Sequence, residues 1–452
     1  MDANELRERL DTIVIVMMEN RSFDHLLGHL SQSAFGGRSD IDGIASLVNP
    51  RYANPSQNGT LVYPFLMPDH AFLTDLPHER DLVAVQLAPS PVMGGPTMTG
   101  FVRAYETATG TSGLASPPPM GLLMPNDLPA TSFLAREYAV CDRWFAPVPT
   151  STQPNRLMAM SGYTLHDTTV SGLLPDQETL FDWLDAHHVR WRVYSAGLSF
   201  FSLMPRLWPR LLGNQFRRLS DLSHDFQHDT ADQLPNVIIV EPDYEDSPVH
   251  LSGHACDNHP PLPVAFGEAF VRQVYEALTA SPGRWQRTAM LLTYDEHGGF
   301  FDHVAPLPVP SPTPDGAGYA PFASSGVRVP AIVVSPLVAR GSAKHANLDH
   351  TSILALLAER FGAAGEAYSP AVAERQRHGV ASASAVFDAG PPRTDIPALS
   401  PAPISALATL HTWKEPQNAM GGSFVAAMEG LHAAHGAAAL QKFPEIAHWL
   451  AP

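Results

Sequence analysis

The part of the sequence that decides the fold is residues 12–20, which read TIVIVMMEN. Seven β-branched or apolar residues follow one another, and Glu19 and Asn20 end the run. A continuous apolar run, as opposed to an alternating one, is typical of a strand that is buried on both faces in a parallel sheet. The stretch therefore predicts an internal strand whose carboxyl end carries two polar side chains.

Similar apolar runs predict further strands at residues 236–240, 288–294 and 329–335, with a weaker candidate at 190–194. Apolar residues at helical spacing lie between them, at residues 264–278 and 350–361. Asp349 is a candidate N-cap of the second helix, and Gly362 is its C-terminal signal. Strands that alternate with helices predict an α/β fold with a doubly wound, mainly parallel sheet.

Polar, chelating side chains follow three of the predicted strands. In chain order the three sets are Glu19-Asn20, Glu241-Pro242-Asp243 and Asp295-Glu296. If the three strands are parallel, their carboxyl ends lie at one edge of the sheet and the three sets converge. Carboxylate and amide oxygens suit hard cations such as Mg²⁺, Ca²⁺ or Mn²⁺, and a shared cation relieves the repulsion between adjacent acids. Taken alone, the first set is better explained as a polar strand-to-helix turn.

Residues 149–156 read PTSTQPNR and place a hydroxyl group before a helix. Pro154 suits the first turn of a helix, so Thr152 would face the positive end of the helix dipole, where phosphate also binds. Metal coordination can turn such a hydroxyl into a nucleophile. The local sequence on its own favours an ordinary N-cap threonine.

Two loop histidines complete the candidate chemistry. His259 lies in the proline-bounded loop GHACDNHPP (253–261), where a plain core histidine is not expected. It could donate a hydrogen bond to a phosphoryl oxygen or protonate a leaving group. His78, in LPHE (76–79), is a similar loop histidine with less local support, and most of the 21 histidines must be inert.

The composition excludes several classes of protein. A net charge of −17 argues against nucleic acid and anionic membrane as bulk partners. No apolar run approaches the ~20 residues that span a bilayer, and no secretory signal opens the sequence. We therefore expect a soluble protein without stable membrane insertion, cytoplasmic as written, with export by another route left open. The two cysteines, Cys141 and Cys256, are expected to be reduced core thiols. No P-loop, Rossmann glycine fingerprint, zinc His-Glu-x-x-His motif or serine-esterase elbow occurs.

Segments rich in proline and glycine at residues 89–119 and 305–323 predict loop or lid insertions. Residues 363–403 are typical of a surface strap, and residues 405–450 have alanine-rich helical spacing. We predict one domain over residues 1–395 and a small helical C-terminal appendage over residues 396–452.

Taken together, the motifs resemble the bacterial phosphoesterase family, which contains phospholipases C and acid phosphatases. The resemblance covers roughly residues 10–395 in order. It rests on MMENRSFDH (17–25), CDRWF (141–145), PNR (154–156), DNHPP (257–261) and YDEHGGFFDH (294–303). The family is similar in fold to the alkaline phosphatase superfamily, so the resemblance implies an alkaline-phosphatase-like fold.

The resemblance also implies a role for each candidate residue. One divalent cation, of the Ca, Mg or Mn type, would bind Glu19, Asn20, Thr152, Asp295 and Glu296. Thr152 would be the nucleophile, and His78 and His259 would contact the phosphoryl or leaving group. Family members often have Gly-Pro before the nucleophile, whereas this chain has Thr150-Ser151, which keeps Ser151 open as an alternative nucleophile.

The expected function is metal-dependent hydrolysis of phosphoric esters, of the phospholipase C or acid phosphatase type, through a phospho-threonine intermediate. Phosphate monoesters and phospholipids are both candidate substrates, and the oligomeric state is left open. The short alanine-rich C-terminal segment favours a phosphatase or a compact phosphodiesterase. The alternative is a non-catalytic binding protein of the same fold, in which the metal serves stability alone.

Overall fold

A computed structural model of the chain describes residues 1–68, 75–90, 94–399 and 416–450. Its strands, in chain order, are β1 (Thr12–Met18), β2 (Asn54–Pro55), β3 (Leu61–Val62), β4 (Phe65–Met67), β5 (Gly121–Leu123), β6 (Ala139–Cys141), β7 (Trp144–Phe145), β8 (Trp191–Ser195), β9 (Phe216–Arg218), β10 (Val237–Glu241), β11 (Thr288–Tyr294), β12 (Ala331–Val334), β13 (Ala343–Lys344) and β14 (Leu348–Asp349).

The central sheet has eight strands within the described ranges, in the order β13-β6-β12-β11-β1-β10-β8-β9. Strand β1 lies inside the sheet, parallel to β11 on one side and to β10 on the other. Every residue of β1 and β11 is buried. Because successive side chains of a strand point to opposite faces, both faces of the sheet are covered here. This double cover explains the unbroken apolar runs of the sequence.

The predicted mainly parallel α/β sheet is confirmed, with one correction. Strand β12, predicted at residues 329–335 as a parallel strand, pairs antiparallel with both β11 and β6. An apolar run reports that a strand is buried on both faces and carries no information about its direction. The three strands expected to bring polar residues together, β1, β10 and β11, are parallel neighbours and lie within one residue of their predicted bounds.

The helices surround this sheet. In chain order they are α1 (Ala3–Arg9), α2 (Phe23–Leu27), α3 (Arg80–Leu87), α4 (Phe101–Thr109), α5 (Pro129–Glu137), α6 (Thr152–Ser161), α7 (Leu180–Ala186), α8 (Trp208–Leu211), α9 (Leu222–His228), α10 (Ala265–Thr279), α11 (Pro282–Trp285), α12 (Thr351–Phe361), α13 (Pro370–Arg377), α14 (Ala419–His435), α15 (Ala437–Lys442) and α16 (Pro444–Leu450). Both helices predicted from apolar spacing are present as α10 and α12. The N-cap of α12 is His350, while Asp349 accepts a hydrogen bond from the Thr351 amide over 2.7 Å.

The two predicted insertions differ in content. The segment 89–119 contains α4, and its residues 91–93 lie outside the described ranges. The segment 305–323 is closed by an isolated antiparallel bridge between Ser311 and Phe322. Small two-stranded sheets, β2-β3, β4-β5 and β7-β14, complete the strand pairing of the described residues.

The C-terminal helices pack on the central domain. Side chains of α14, namely Phe424, Ala427, Met428 and Leu431, belong to the same hydrophobic core as β1. Residues 400–415, part of the predicted strap and appendage, lie outside the described ranges. The division into a domain over 1–395 and an appendage over 396–452 therefore stays a prediction. Among the described helices, none combines the length and apolar character needed to cross a bilayer. Both cysteines are free and buried, as predicted.

Candidate functional site

The carboxyl ends of β1 and β11 lie side by side at one edge of the sheet. Met18 pairs with Tyr294, so Glu19 and Asp295 leave the sheet at the same level. Asn20 then turns the chain with φ of 59°, a left-handed conformation that is uncommon for a residue with a side chain. The polar residues that follow the two strands therefore face each other in adjacent turns.

Glycine lets these two turns pack closely. A Cβ atom at position 298 would lie 2.1 Å from the carbonyl oxygen of Asn20, so only glycine fits there. The amide of Gly298 also donates a hydrogen bond to Glu296 Oε2 over 2.8 Å. The first glycine of the Asp-Glu-His-Gly-Gly motif thus serves close approach of backbone to backbone.

Thr152 joins this edge through Asn20. Its Oγ1 donates a hydrogen bond to Asn20 Oδ1 over 3.4 Å, and the backbone amide of Asn20 donates to Asp295 Oδ1 over 3.1 Å. Thr152 is the first residue of α6, and Ser151 is the N-cap. The fold thus brings together Asn20, Thr152 and Asp295, which lie far apart in the sequence.

Arg156, on the first turns of α6, lies between the two strand ends. Its Nη2 is 3.0 Å from Glu19 Oε1, and its Nε is 3.4 Å from Asp295 Oδ2. The guanidinium is buried and donates a further hydrogen bond to the Tyr244 hydroxyl over 3.1 Å. The sequence did not reveal the carboxylate partners of this arginine, because they come close to it only in the fold.

Buried polar atoms at this edge lack hydrogen-bond partners among the described residues. They include Glu19 Oε2, Asn20 Nδ2, Asp295 Oδ2 and Glu296 Oε1. We call Glu19, Asn20, Asp295 and Glu296 the strand-end cluster. Buried carboxylate oxygens without partners are costly, and a cation would supply the missing partner. The oxygen-rich donor set is compatible with a hard divalent metal.

The carboxyl groups of the cluster have shifted pKa values. Burial raises the pKa of Glu19 well above its usual value, although Arg156 opposes the shift. Burial also raises the pKa of Asp295 to about 6, again against the effect of Arg156. For Glu296, burial would raise the pKa, but the positive charge of His78 and the hydrogen bond from His297 outweigh it and the pKa is lowered. The negative charges of these buried carboxylates therefore carry a free-energy cost of desolvation, which a bound cation would offset.

A cavity of about 250 Å³ opens beside Thr152, and we call it the histidine cavity. Its walls are formed by Asp75, Leu76, Pro77, His78, Glu79, Leu82, Ala108, Thr152, Thr169, Asp246, His259, Asn418, Ala419 and Met420. The last three residues bring the beginning of α14 into the wall. Three larger grooves among the described residues, of about 520, 510 and 500 Å³, contain none of the predicted site residues.

His259 faces two acids across the cavity. Its Nδ1 lies 2.5 Å from the carbonyl oxygen of Pro260, which can only accept, so Nδ1 carries a proton. Its Nε2 lies 3.9 Å from Asp75 Oδ2 and 3.9 Å from Asp246 Oδ2. Burial would lower the pKa of His259, but Asp75, Asp246 and Glu19 outweigh it and raise the pKa well above its usual value.

His78 lies next to His259 in the same cavity. The ring centroids are 6.1 Å apart, and the ring planes meet at 81°. Nδ1 of His78 donates to the Leu76 carbonyl over 2.7 Å, which leaves Nε2 for a substrate. Burial would lower the pKa of His78, but Asp75 and Glu296 raise it to about 9.

Three sets of acids and histidines in the described ranges have donor atoms within 4.8 Å of one another: Glu19-Asp246-His259, Asp75-His78-His259 and Asp24-Asp302-His303. The first set connects the strand-end cluster to the histidine cavity. Asp295 and Glu296 belong to none of them. The complete set of five predicted metal ligands therefore stays a prediction.

Sequence reasoning missed three residues of the cavity wall, Asp75, Asp246 and Asn418. Nδ2 of Asn418 donates a hydrogen bond to Asp246 Oδ1 over 2.6 Å and so holds this carboxylate near His259. The two acids lie in the loops that precede His78 and His259. Acids near loop histidines were the only local signal, and nothing in the sequence joins residue 418 to residue 246.

Comparison with known proteins defines the class. The chain matches the Phosphoesterase family over residues 10–364. It is 33% identical over 428 residues to non-specific phospholipase C6 of Arabidopsis thaliana, covering 89% of this chain and 78% of the relative. It is 29% identical over 409 residues to a non-hemolytic phospholipase C of Burkholderia pseudomallei, covering 78% of this chain and 55% of the relative. The chain is a phosphoric ester hydrolase. More narrowly, it belongs to the phosphoesterase family, as its motifs predicted.

Similarity to solved structures is weaker. A protein in the alkaline phosphatase superfamily from Vibrio parahaemolyticus is 12% identical, with a TM-score of 0.31 over 54% of this chain and 62% of that chain. The phosphonate monoester hydrolase of Agrobacterium radiobacter is 11% identical, with a TM-score of 0.34 over 78% of this chain and 74% of that chain. Scores of this size carry no conclusion about the site.

Proposed function

We propose that the chain is a metal-dependent phosphoric ester hydrolase of the phospholipase C or acid phosphatase type, with Thr152 as its nucleophile. The observation that carries the proposal is one juxtaposition. The Thr152 hydroxyl lies on one side against Asn20, among carboxylate oxygens without partners, and on the other side lines a cavity that holds two histidines.

One divalent cation would be held by the strand-end cluster together with Thr152 Oγ1. When bound there, it supplies Lewis-acid chemistry: it lowers the pKa of the Thr152 hydroxyl and neutralises charge on phosphoryl oxygens. The identity of the cation among Ca²⁺, Mg²⁺ and Mn²⁺ is set by ligand number and site rigidity.

Thr152 would attack phosphorus. Its place at the first helical position of α6 puts the developing negative charge at the positive end of the helix dipole. Arg156, buried beside the same helix, adds a fixed positive charge near both strand ends. The bond from Thr152 Oγ1 to phosphorus forms as the bond from phosphorus to the leaving oxygen breaks, and the hydroxyl proton of Thr152 passes to water in the histidine cavity.

The two histidines would protonate the leaving group. Both rings have raised pKa values, so both carry a proton to give near neutral pH. In each ring Nδ1 is engaged with a backbone carbonyl, and Nε2 is the atom that would donate to the departing alkoxide. Water then breaks the bond between phosphorus and Thr152, and the phosphate-containing product leaves.

The names of the relatives, phospholipases C from plants and bacteria, support phospholipids as a substrate class. We propose phospholipid diesters as the first substrates to test and phosphate monoesters as the second. The aromatic residues at 200–208 are a weak candidate for a headgroup site, because Phe200 and Phe201 are buried in the core. Rates on dihexanoyl phosphatidylcholine and on p-nitrophenyl phosphate, measured with each cation, would order the two classes.

The nucleophile is tested by Thr152→Ala, with Thr152→Ser as its matched control. We expect the alanine variant to lose activity by a factor on the order of 10⁴, and the serine variant to keep a hydroxyl and measurable turnover. Exhaustive chelation should also abolish turnover, and one added cation should restore it. Full activity of Thr152→Ala would remove the nucleophile, and full activity after chelation would remove the metal.

A further inference from the structure

Ser151 has an unusual position for an N-cap serine. It is the N-cap residue of α6, yet its side chain makes no cap hydrogen bond to that helix. Ser22 and Ser369, at the N-caps of α2 and α13, do accept hydrogen bonds from the amides of His25 and Val372. The hydroxyl of Ser151 is therefore used for another purpose.

That hydroxyl connects two walls of the histidine cavity. Ser151 Oγ donates to Glu79 Oε2 over 2.8 Å and accepts from both the amide and the hydroxyl of Thr169, over 2.9 Å each. One donated and two accepted hydrogen bonds use the full capacity of a serine hydroxyl. The Thr168 hydroxyl donates to the same Glu79 oxygen, so three segments meet at this carboxylate.

The hydrogen bond between Ser151 and Glu79 matters because of the residues next to them in the sequence. Ser151 precedes Thr152, and Glu79 follows His78, and both Thr152 and His78 line the cavity. The hydrogen bond between Ser151 and Glu79 thus spans from the segment of the nucleophile to the segment of a histidine. Ser151 is fully buried and Glu79 is partly exposed, so water can compete for this bond only from the side of the glutamate.

The other side of the His78 segment is already fixed. The Pro77 carbonyl accepts a hydrogen bond from Gln86 Nε2 over 2.6 Å, and Gln86 Oε1 lies 2.7 Å from His297 Nε2. A Cβ atom at position 299 would lie 2.6 Å from the same carbonyl, so Gly299 lets the segment sit directly on the turn after β11. Pro77 thus holds the His78 segment against the turn after β11, and Glu79 holds it against the turn that precedes α6.

We propose that Ser151 and Glu79 form a tether that sets the distance between Thr152 and His78, and that Ser151 is a positioning residue and not the nucleophile. The proposal rests on the proposed role of Thr152. It gives a structural role to Ser151 through the hydrogen bonds of its hydroxyl to Glu79 and Thr169. It also concerns a residue that the sequence left as an alternative nucleophile.

The test measures steady-state kinetics on dihexanoyl phosphatidylcholine for Ser151→Ala, Glu79→Ala and the double variant. We expect each single variant to lower kcat by about 10- to 100-fold with KM nearly unchanged, the range for a catalytic group displaced by ~1 Å. The double variant should be no worse than the poorer single variant, because both changes cut the same connection.

The matched control is Ser382→Ala. Ser382 is the buried N-cap of the 3-10 helix Ala383–Val386, where its hydroxyl accepts from the Ser384 amide over 3.2 Å. Like the Ser151 hydroxyl, it donates to a glutamate, Glu359 Oε2, over 2.9 Å, and it does not line the histidine cavity. Its loss should lower the melting temperature as much as Ser151→Ala does and leave kcat unchanged. An equal fall of kcat in Ser382→Ala would contradict the proposed tether. A loss of kcat in the Ser151→Ala/Glu79→Ala variant that equals the product of the two single losses would also contradict it.

A trapped intermediate separates this proposal from the proposed function. Ser151→Ala enzyme that is acid-quenched during turnover of dihexanoyl phosphatidylcholine should still carry a phosphocholine group on residue 152, detected by mass spectrometry of the peptide that spans 150–156. A phosphocholine group on residue 151 of the wild-type enzyme, or an unchanged kcat in Ser151→Ala, would overturn the positioning role. Full turnover of Thr152→Ala would overturn the proposed nucleophile, and the coupling of Ser151 to Glu79 would still be measured independently.

Discussion

The same two segments of the chain build two buried charge clusters that differ in one respect. The first is the strand-end cluster, with Glu19 after β1 and Asp295 after β11. The second, which we call the Arg328 cluster, contains Asp24, Asp302, His303 and Arg328. Both clusters draw their acids from residues 19–24 and 295–302, and all five acids are fully buried: Glu19, Asp295 and Glu296 in the first cluster, Asp24 and Asp302 in the second.

In the Arg328 cluster every carboxylate oxygen has a partner. Arg328 lies 3.1 Å from Asp302 Oδ1 and 3.0 Å from Asp24 Oδ1. The backbone amide and the Nδ1 of His303 both lie within hydrogen-bond distance of Asp24 Oδ2, at 2.8 and 2.7 Å. The amide of Asp24 donates to Asp302 Oδ2 over 3.1 Å. Asp24, Asp302 and His303 are close enough to hold a metal, but Arg328 already supplies their positive charge.

The comparison teaches that charge density alone does not mark a functional site. Both clusters are acidic and buried, and both come from the motifs that identify the family. They differ in whether the buried oxygens have hydrogen-bond partners among the described residues. Several oxygens of the strand-end cluster have none, although Arg156 forms ion pairs with two of them, whereas every carboxylate oxygen of the Arg328 cluster has one. Unsatisfied buried groups call for a ligand, whereas satisfied ones stabilise the fold.

The largest expected difference between the clusters is in activity. Asp295→Asn should lower kcat/KM by a factor on the order of 10³, because it removes a proposed metal ligand. Its free energy of unfolding without metal should not fall, since the raised pKa of Asp295 shows that the folded state disfavours the charge. Asp302→Asn should keep the activity of the folded fraction. Equal losses of kcat/KM in both variants would contradict the contrast.

The second difference is in stability. Arg328→Met leaves Asp24 and Asp302 buried without their cation and should lower the free energy of unfolding by about 3–5 kcal/mol. Urea unfolding checks this, and adding Asp302→Asn to the variant should recover part of the loss. A loss below about 1 kcal/mol would mean that the cluster is better solvated than its burial indicates.

The third difference is in the response to metal. A divalent cation at about 100 times its Kd should raise the free energy of unfolding by about 2.7 kcal/mol through preferential binding to the folded state. Thermal melts with and without chelator should lose this shift in Glu19→Gln and keep it in Asp302→Asn. An unchanged shift in Glu19→Gln would place the cation elsewhere.

The smallest difference is a slope of stability with pH. Burial would lower the pKa of His303, but Asp24 and Asp42 raise it to about 9, against 6.5 for the free side chain. The folded state thus holds this proton more tightly, so its contribution is complete below pH ~6.5 and falls as the pH rises toward 9, by at most ~1.4 kcal/mol per pH unit. Urea unfolding across this window should show a shallower slope for His303→Gln than for the wild type. Because His78 and His259 also have raised pKa values, only the difference between the two proteins isolates His303.

The sequence predicted the strand ends well and the cavity poorly, for a physical reason. Strands β1, β10 and β11 are buried on both faces, so their apolar runs mark their ends and the polar residues that follow. Asp75 and Asp246 reach the site on loops, and Asn418 reaches it at the start of a helix that is distant in the sequence. No local sequence pattern indicates that these segments pack there. The predicted direction of β12 was wrong because an apolar run indicates only that a strand is buried on both faces, which holds for parallel and antiparallel strands alike.

The two clusters show the same limit from another side. Asp24, Asp302 and His303 lie in motifs as dense as those of Glu19 and Asp295, and the sequence offered no means to assign them a different role. Arg328, which satisfies them, lies in an unremarkable segment. Partner satisfaction is a property of three-dimensional contacts, so it separates structural from functional acids only after the fold is known.

The central place of β1 also sets a condition on how the chain is made. This strand ends at residue 18, and its two neighbours in the sheet begin at residues 237 and 288. During synthesis, one edge of this unbroken apolar strand therefore stays without its partner until residue 241 has left the ribosome, and the other edge until residue 294 has done so. Such a segment invites pairing with other nascent chains. Fragments that stop before β11 should consequently aggregate, and chaperone capture of β1 should govern the yield of active enzyme.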